Sequence, residues 1–196
     1  ALIIPMMIGD RVADLQFITP ENKFFLPGGD HKGARYTLGD PTSSTKLIIA
    51  TGFATSATIH ECTGVPVICV FSDGNLDKAA NTIRHLYPKH EITIAADNDL
   101  HPDKRAVNSG VVYSTAVAKK YNLSLAIPEL HGKKVDYNDL FIAEGKQSVI
   151  DSINSATQIN PTIEISKSKA SELLSLAIED WLDSKDHCAI KAPAGL

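Results

Sequence analysis

The chain has 196 residues, 43% of them hydrophobic and 21% charged, which is enough apolar material for a packed core and excludes a wholly disordered chain. Its formal net charge of −4 excludes a strongly basic, sequence-independent nucleic-acid binder, so any nucleic-acid contact must be local or assisted by a metal ion or another domain. No run of about 18 apolar residues is present to span a membrane as a helix, and the apolar start from Ala1 to Ile8 contains Pro5 and lacks the basic flank of a signal peptide. The cysteines, Cys62, Cys69 and Cys188, are odd in number and show no C-x-x-C spacing. They imply a reduced, intracellular (cytoplasmic) protein with no disulfide framework and no zinc site, and Cys62 and Cys69 read as core residues.

Residues 1–45 read as a small β-rich unit. An apolar run over 2–8 ends at the turn pair Gly9-Asp10, residues 12–19 alternate as a strand, and Pro20-Glu21-Asn22 turns the chain. Short strands over 23–26 and 35–38 follow, the first stopped by Pro27-Gly28-Gly29. Strands at this spacing predict an antiparallel meander. At Lys46 the pattern changes. Lys46-Leu47-Ile48-Ile49-Ala50 is continuously apolar after its first residue, as a strand buried on both faces must be. A helix over 54–63 follows, then a buried strand over 66–71, a helix capped by Asn75 and running to Tyr87, and a strand over 91–96. A helix over 108–121 and a strand over 123–127 complete the series.

Strands alternating with helices predict βαβ units, a parallel sheet and right-handed crossovers. Residues 46–154 form this second unit, and 155–196 read as a polar linker over 155–165 followed by an amphipathic helix over 168–184. Chemistry in such sheets gathers at the carboxyl ends of the strands, which here carry Thr51-Gly52, Ser72-Asp73-Gly74-Asn75 and Asp97-Asn98-Asp99. Residues i and i+2 of an extended segment point the same way, so Asp97 and Asp99 share a side. Two carboxylates about 4 Å apart repel by roughly 4 kcal/mol at an effective dielectric near 20, a cost that a divalent cation offsets. All-oxygen ligands suit Mg²⁺ or Mn²⁺; two solvated loop aspartates are the alternative. The second acidic cluster, Asp136-Tyr137-Asn138-Asp139-Leu140, precedes a helix. Either Asn138 or Asp136 caps that helix, or the cluster stands beside the first one near a metal, with Asp136 and Asp139 as candidate ligands. Lys23, Lys32 and Arg35, near the glycine-rich turn, are either solvated surface charge or contacts to a nucleic-acid backbone. The seven histidines are scattered without ligand spacing.

The run Leu47-Ile48-Ile49-Ala50-Thr51-Gly52-Phe53-Ala54-Thr55-Ser56 resembles the first motif of the Toprim domain, in the form found in phage and plasmid primases. Phe71-Ser72-Asp73-Gly74-Asn75-Leu76, Ile94-Ala95-Ala96-Asp97-Asn98-Asp99 and Asp136-Tyr137-Asn138-Asp139-Leu140 resemble its later motifs in order, and the leader with Leu15-Gln16-Phe17-Ile18 and Lys23-Phe24-Phe25-Leu26 resembles the region before them. The resemblance covers roughly residues 1–145. It implies a parallel sheet flanked by helices, phosphoryl-transfer chemistry on nucleic acid, and Mg²⁺ held by Asp97 and Asp99, with Asp136 and Asp139 nearby. It also implies a glutamate at the end of the first strand, where this chain has Thr51. A threonine hydroxyl neither takes nor releases a proton near neutral pH as a carboxylate does. Glu61, further along the following helix, is not placed to substitute for it.

Two expectations follow from the resemblance. One is a primase-type fragment that joins nucleotides into primers on a DNA template with Mg²⁺. The other is a catalytically degenerate Toprim module that binds nucleic acid or couples to a helicase ATPase. The chain reads as a fragment of something longer, and its close, Ala192-Pro193-Ala194-Gly195-Leu196, resembles the opening of a phosphate-binding loop. The expectation is Gly-Lys-Ser or Gly-Lys-Thr directly after Leu196 and a helicase-type ATPase domain beyond.

Overall fold

The computed structural model describes residues 1–100 and 107–160 together with Ser175. The expected helix over 168–184, Cys188 and the phosphate-loop-like close lie outside the described residues.

The first strands are β1 (Leu2–Ile8), β2 (Arg11–Ile18) and β3 (Lys23–Phe25). They pair antiparallel in the order β1-β2-β3, with Gly9 at a φ of 59° making the tight return between the first two. The pleat turns Ile4 and Met6 inward, where they are buried with Ala34, Cys69 and Phe71. The fourth short strand expected in this meander is not part of it. β4 (Tyr36–Leu38) instead pairs antiparallel with β6 (Val67–Cys69) at the edge of the larger sheet. A bridge between Met7 and Arg35 is what links the small sheet to this strand. Spacing along the chain shows that a short strand exists, but its partner is a tertiary choice.

The larger sheet has the order β4-β6-β5-β7-β8-β9, where β5 is Lys46–Ala50, β7 Glu91–Ala95, β8 Ser124–Ala126 and β9 Thr157–Gln158. Strands β6, β5, β7 and β8 run parallel, and the two edge strands run against them. Leu47, Ile48, Ile49 and Ala50 are all buried because helices cover both faces. Helices α2 (Asp73–Leu86) and α3 (Ser109–Tyr121) lie on one side, packing Leu76, Ala79, Ile83 and Val117 onto Leu47, Ile49 and Ile94. Helices α1 (Phe53–Thr63), α4 (Tyr137–Glu144) and α5 (Lys146–Asn154) lie on the other, packing Ile59, Tyr137, Leu140 and Val149 onto Ile48, Ala50 and Ala95. Each such aliphatic or aromatic side chain contributes about 1.5–3 kcal/mol of burial free energy. Gly64, at a φ of 70°, ends α1 by donating its N–H to the His60 carbonyl.

Three local expectations change. Asn75 is not a cap: Ser72 takes that position, and Asn75 lies inside α2 with its side chain committed to tertiary hydrogen bonds. Helix α5 was not foreseen; it restarts after Gly145, whose φ of 86° breaks the helical run after α4. Part of the expected linker forms β9, whose two exposed polar residues pair with β8 through Ser124 and Leu125. The described fold falls within one compact unit, Ala1–Pro161. Among the described residues no helix is long and apolar enough to cross a membrane.

Candidate active site

The strand order creates a crevice. After β5 the chain leaves for the α1 face, and after the adjacent β7 it leaves for the α3 face, so the carboxyl ends of these two strands flank a topological switch point. Thr51 directly follows β5 and Asp97 stands two residues beyond β7. The Thr51 hydroxyl donates to Asp97 Oδ2 at 3.2 Å. The other oxygen, Asp97 Oδ1, is buried with no hydrogen-bond partner.

Asn98 faces the opposite way from its two neighbours and fixes them. Its backbone N–H and carbonyl pair with Val135, each bond 3.0 Å long. Its side-chain Nδ2 donates to the Pro128 carbonyl at 2.8 Å, and its Oδ1 accepts from Asn108 Nδ2 at 2.8 Å. With Asn98 and Val135 paired antiparallel and both buried, the flanking residues Asp97 and Asp136, and Asp99 and Lys134, are set across from each other on the crevice side. Lys134 Nζ lies 2.7 Å from Asp99 Oδ1. Gly110, in the first turn of α3, packs directly beneath: a Cβ there would sit 2.6 Å from the Asp97 carbonyl oxygen and 2.9 Å from Asp99 Oδ2.

Burial pushes the Asp97 carboxyl up to about 6, and the negative charges of Asp136, Asp73 and Asp99 act in the same direction against the Thr51 hydroxyl. Asp73 is raised as well, by burial and then by Asp99. Lys134 is held more firmly protonated by its hydrogen bond to Asp99, with Asp97 and Asp136 contributing. Asp73, Asp97, Asp99 and Asp136 therefore share one field. Asp139 is differently employed. It and Asp136 form a capping box at the start of α4: Asp136 Oδ1 accepts the Asp139 N–H at 2.8 Å, and Asp139 Oδ2 accepts the Asp136 N–H at 3.3 Å.

The chemistry of this donor set suits a hard divalent cation. It is all oxygen, one buried carboxylate oxygen is orphaned, and the charges of Asp136, Asp73 and Asp99 disfavour ionised Asp97, with Lys134 offsetting them from Asp99. Among the described residues no three histidine, cysteine, aspartate or glutamate side chains close into a coordination cluster. The donors thus fit an ion that keeps much of its own water, as Mg²⁺ does.

The three cations singled out in the sequence lie along the N-terminal strands and the strap that follows them. Lys23 begins β3, Lys32 is exposed on the strap, and Arg35 pairs through its backbone with Met7. The strap is tied down at both ends of its turn. His31 Nδ1 lies 3.3 Å from Asp14 Oδ2, and the Asn75 side chain donates to the His31 carbonyl at 2.7 Å and accepts the Gly33 N–H at 3.0 Å. This places Lys32 beside the start of α2, where Asp73 is. Cys69 is buried and its thiol is pushed up to about 11 by burial, which makes it an inert core residue. A cavity of about 680 Å³ lies at the opposite ends of the strands, lined by Lys46, Arg84, His90 and Ser124 among others, away from the acidic cluster.

Sequence reasoning put Asp73 and Asn98 at the strand ends without giving either a role, and passed over Lys134 and Gly110. Asp73 had a usable signal, since it too follows a buried parallel strand. The other three depend on the pairing of 98 with 135 and on the approach of α3, which no local pattern announces.

A doubly wound sheet with acidic residues at its switch point is an α/β architecture that gathers its polar side chains at the carboxyl ends of the strands. The chain belongs to the Toprim domain family, whose model matches residues 46–147. Two curated relatives, both DNA primase TraC from Escherichia coli, are 34% identical over 91 residues (44% of this chain) and 32% identical over 110 residues (54% of this chain). The matches span 6% and 10% of those proteins' own lengths. Among solved structures, the fold is similar to the DnaG catalytic core (TM-score 0.57, 15% identity, 90% of this chain and 62% of that one). It is also similar to the Aquifex aeolicus primase zinc-binding and RNA polymerase domains (TM-score 0.54, 12% identity, 92% and 43%) and to the DnaG primase catalytic domain bound to ssDNA (TM-score 0.54, 13% identity, 90% and 62%). At these identities the structural likeness establishes a primase-type fold.

Proposed function

We propose that this chain is the Toprim part of a DNA primase that acts in replication and joins nucleotides into primers on a DNA template with Mg²⁺ or Mn²⁺. The observation that carries the proposal is the placement of Asp97 and Asp99 at the switch point, in one field with Asp73 and Asp136, with an unpartnered buried oxygen on Asp97. The primase names of its relatives narrow phosphoryl transfer to primer synthesis. Asp97 and Asp99 would hold the cation, Asp136 would support it, and Asp139 serves the helix start. The bound cation would supply positive charge against the phosphates of the incoming nucleotide. Thr51 orients Asp97 through its hydroxyl and keeps one carboxylate oxygen fixed. Asn98 and Gly110 hold the two aspartates to one side. Lys23, Lys32 and Arg35 would contact the template backbone as point charges. The setting is intracellular, as free buried thiols suit, and the parent gene is of phage or plasmid type, as the resemblance of the sequence motifs implies.

Thr51 supports a second reading, in which the module binds nucleic acid or couples to a helicase ATPase in the same parent protein without turning over. A hydroxyl cannot serve as the proton acceptor that a glutamate would be. Template-directed incorporation of labelled nucleotides on single-stranded DNA with Mn²⁺ separates the two. The primase reading predicts primers from this chain, a loss of about 100-fold or more in the Asp97→Asn/Asp99→Asn variant, and a gain in Thr51→Glu. Template binding with no incorporation by either the chain or Thr51→Glu contradicts it and favours the second reading.

A further inference from the structure

The proposed metal site already contains a positive charge. The paired residues Asn98 and Val135 register Lys134 opposite Asp99, and the ammonium lies 2.7 Å from Asp99 Oδ1. It also stands within the fields of Asp97 and Asp136. The side chain is 73% exposed, so it can swing away from the carboxylate without disturbing the core. The backbone beneath it cannot, because Val135 is buried and bonded twice to Asn98. A lysine on a fixed stem with a free head can fill the site and also leave it.

We propose that Lys134 is the resident counter-ion of the acidic site: it neutralises Asp99 in the empty state, and a divalent cation must displace its ammonium to bind. The inference rests on the reading that Asp97 and Asp99 hold such a cation. Three consequences follow from the geometry. Lys134 weakens metal binding, because an exposed ion pair must be broken and a like charge lies close to the incoming ion. It steadies the metal-free fold by offsetting the mutual repulsion of the four aspartates. Once displaced, it stays at the rim of the crevice, where a polyanion would meet it.

Mn²⁺ titration by calorimetry at low ionic strength, on the whole chain and on Lys134→Gln and Lys134→Arg, tests the inference. Lys134→Gln should bind Mn²⁺ about threefold to tenfold more tightly, and Lys134→Arg should bind as the unaltered chain does. Without metal, Lys134→Gln should melt several degrees lower, and saturating Mn²⁺ should remove that deficit. If the unaltered chain binds Mn²⁺ and Lys134→Gln binds it no more tightly, the counter-ion role is wrong while the metal reading stands. If Lys134→Arg tightens binding as much as Lys134→Gln does, charge is not the cause and the role is again wrong. If neither the chain nor Lys134→Gln binds Mn²⁺, the metal reading and this inference fall together.

Discussion

The hydroxyl of Thr51 and the half-buried carboxyl of Asp97 meet at 3.2 Å, and that single hydrogen bond does not compensate Asp97 for its surroundings. Burial, with Asp136, Asp73 and Asp99 in support, raises its carboxyl to about 6 from an ordinary value of 3.8. The folded chain therefore holds this proton more tightly than the unfolded chain does. An ionised Asp97 costs stability above pH 6, and the cost fades as pH falls from there toward the unfolded value. Allowing for partial exposure, the cost at pH 7.5 is on the order of 2 kcal/mol. Asp97→Asn should thus be more stable than the unaltered chain in metal-free urea denaturation at pH 7.5, with the advantage gone near pH 4. A variant less stable at pH 7.5 would show that Asp97 is held by favourable contacts instead. At this scale the sequence exposed Thr51, Asp97 and Asp99, since each follows a continuous apolar strand. It concealed Asn75, whose amide bonds to His31 and Gly33, more than 40 residues away along the chain.

Helix starts carry much of the site. Asn108 caps α3 by accepting the Val111 N–H at 3.3 Å, and the same Oδ1 accepts the Asp99 N–H at 3.1 Å. One side chain thereby joins the helix to the acidic loop. Gly110 lets α3 approach, because any Cβ would meet the Asp97 carbonyl. Gly110→Ala would ordinarily favour a helix by about 1 kcal/mol. Here it should destabilise by about 1–3 kcal/mol in chemical denaturation, because the helix start must move off the loop. A neutral or stabilising effect would mean the loop yields freely. For α4 the sequence offered Asn138 or Asp136 as the cap, weighed against a role near the metal; the structure makes Asp136 the cap, closes a capping box on it through Asp139, and keeps Asp136 within the field of Asp97. Helix α5 and β9 were not legible. The former follows α4 across a lone glycine, and the latter is a two-residue polar edge strand with no alternation to read.

Across the whole molecule, what was legible is what burial on two faces imposes. Leu47 to Ala50 and Ile92 to Ala95 had to be interior strands, and the helices between them made the sheet parallel. Which strands would be neighbours was not legible, and that choice puts Thr51 beside Asp97. The same holds for β4, which joins the large sheet while β1, β2 and β3 rest their buried face against Phe71 at the carboxyl end of β6. The small sheet and its strap therefore border the acidic end of the large one, and Lys32 comes near Asp73 through the ties of Asn75. The central claim is that this shared edge is a divalent-metal site built on Asp97 and Asp99. Calorimetric titration of the whole chain with Mn²⁺, beside Asp97→Asn/Asp99→Asn, tests it most directly. The account predicts saturable binding, on the order of millimolar for so open a donor set, in the unaltered chain and none in the double variant; equal heats from the two proteins would contradict it.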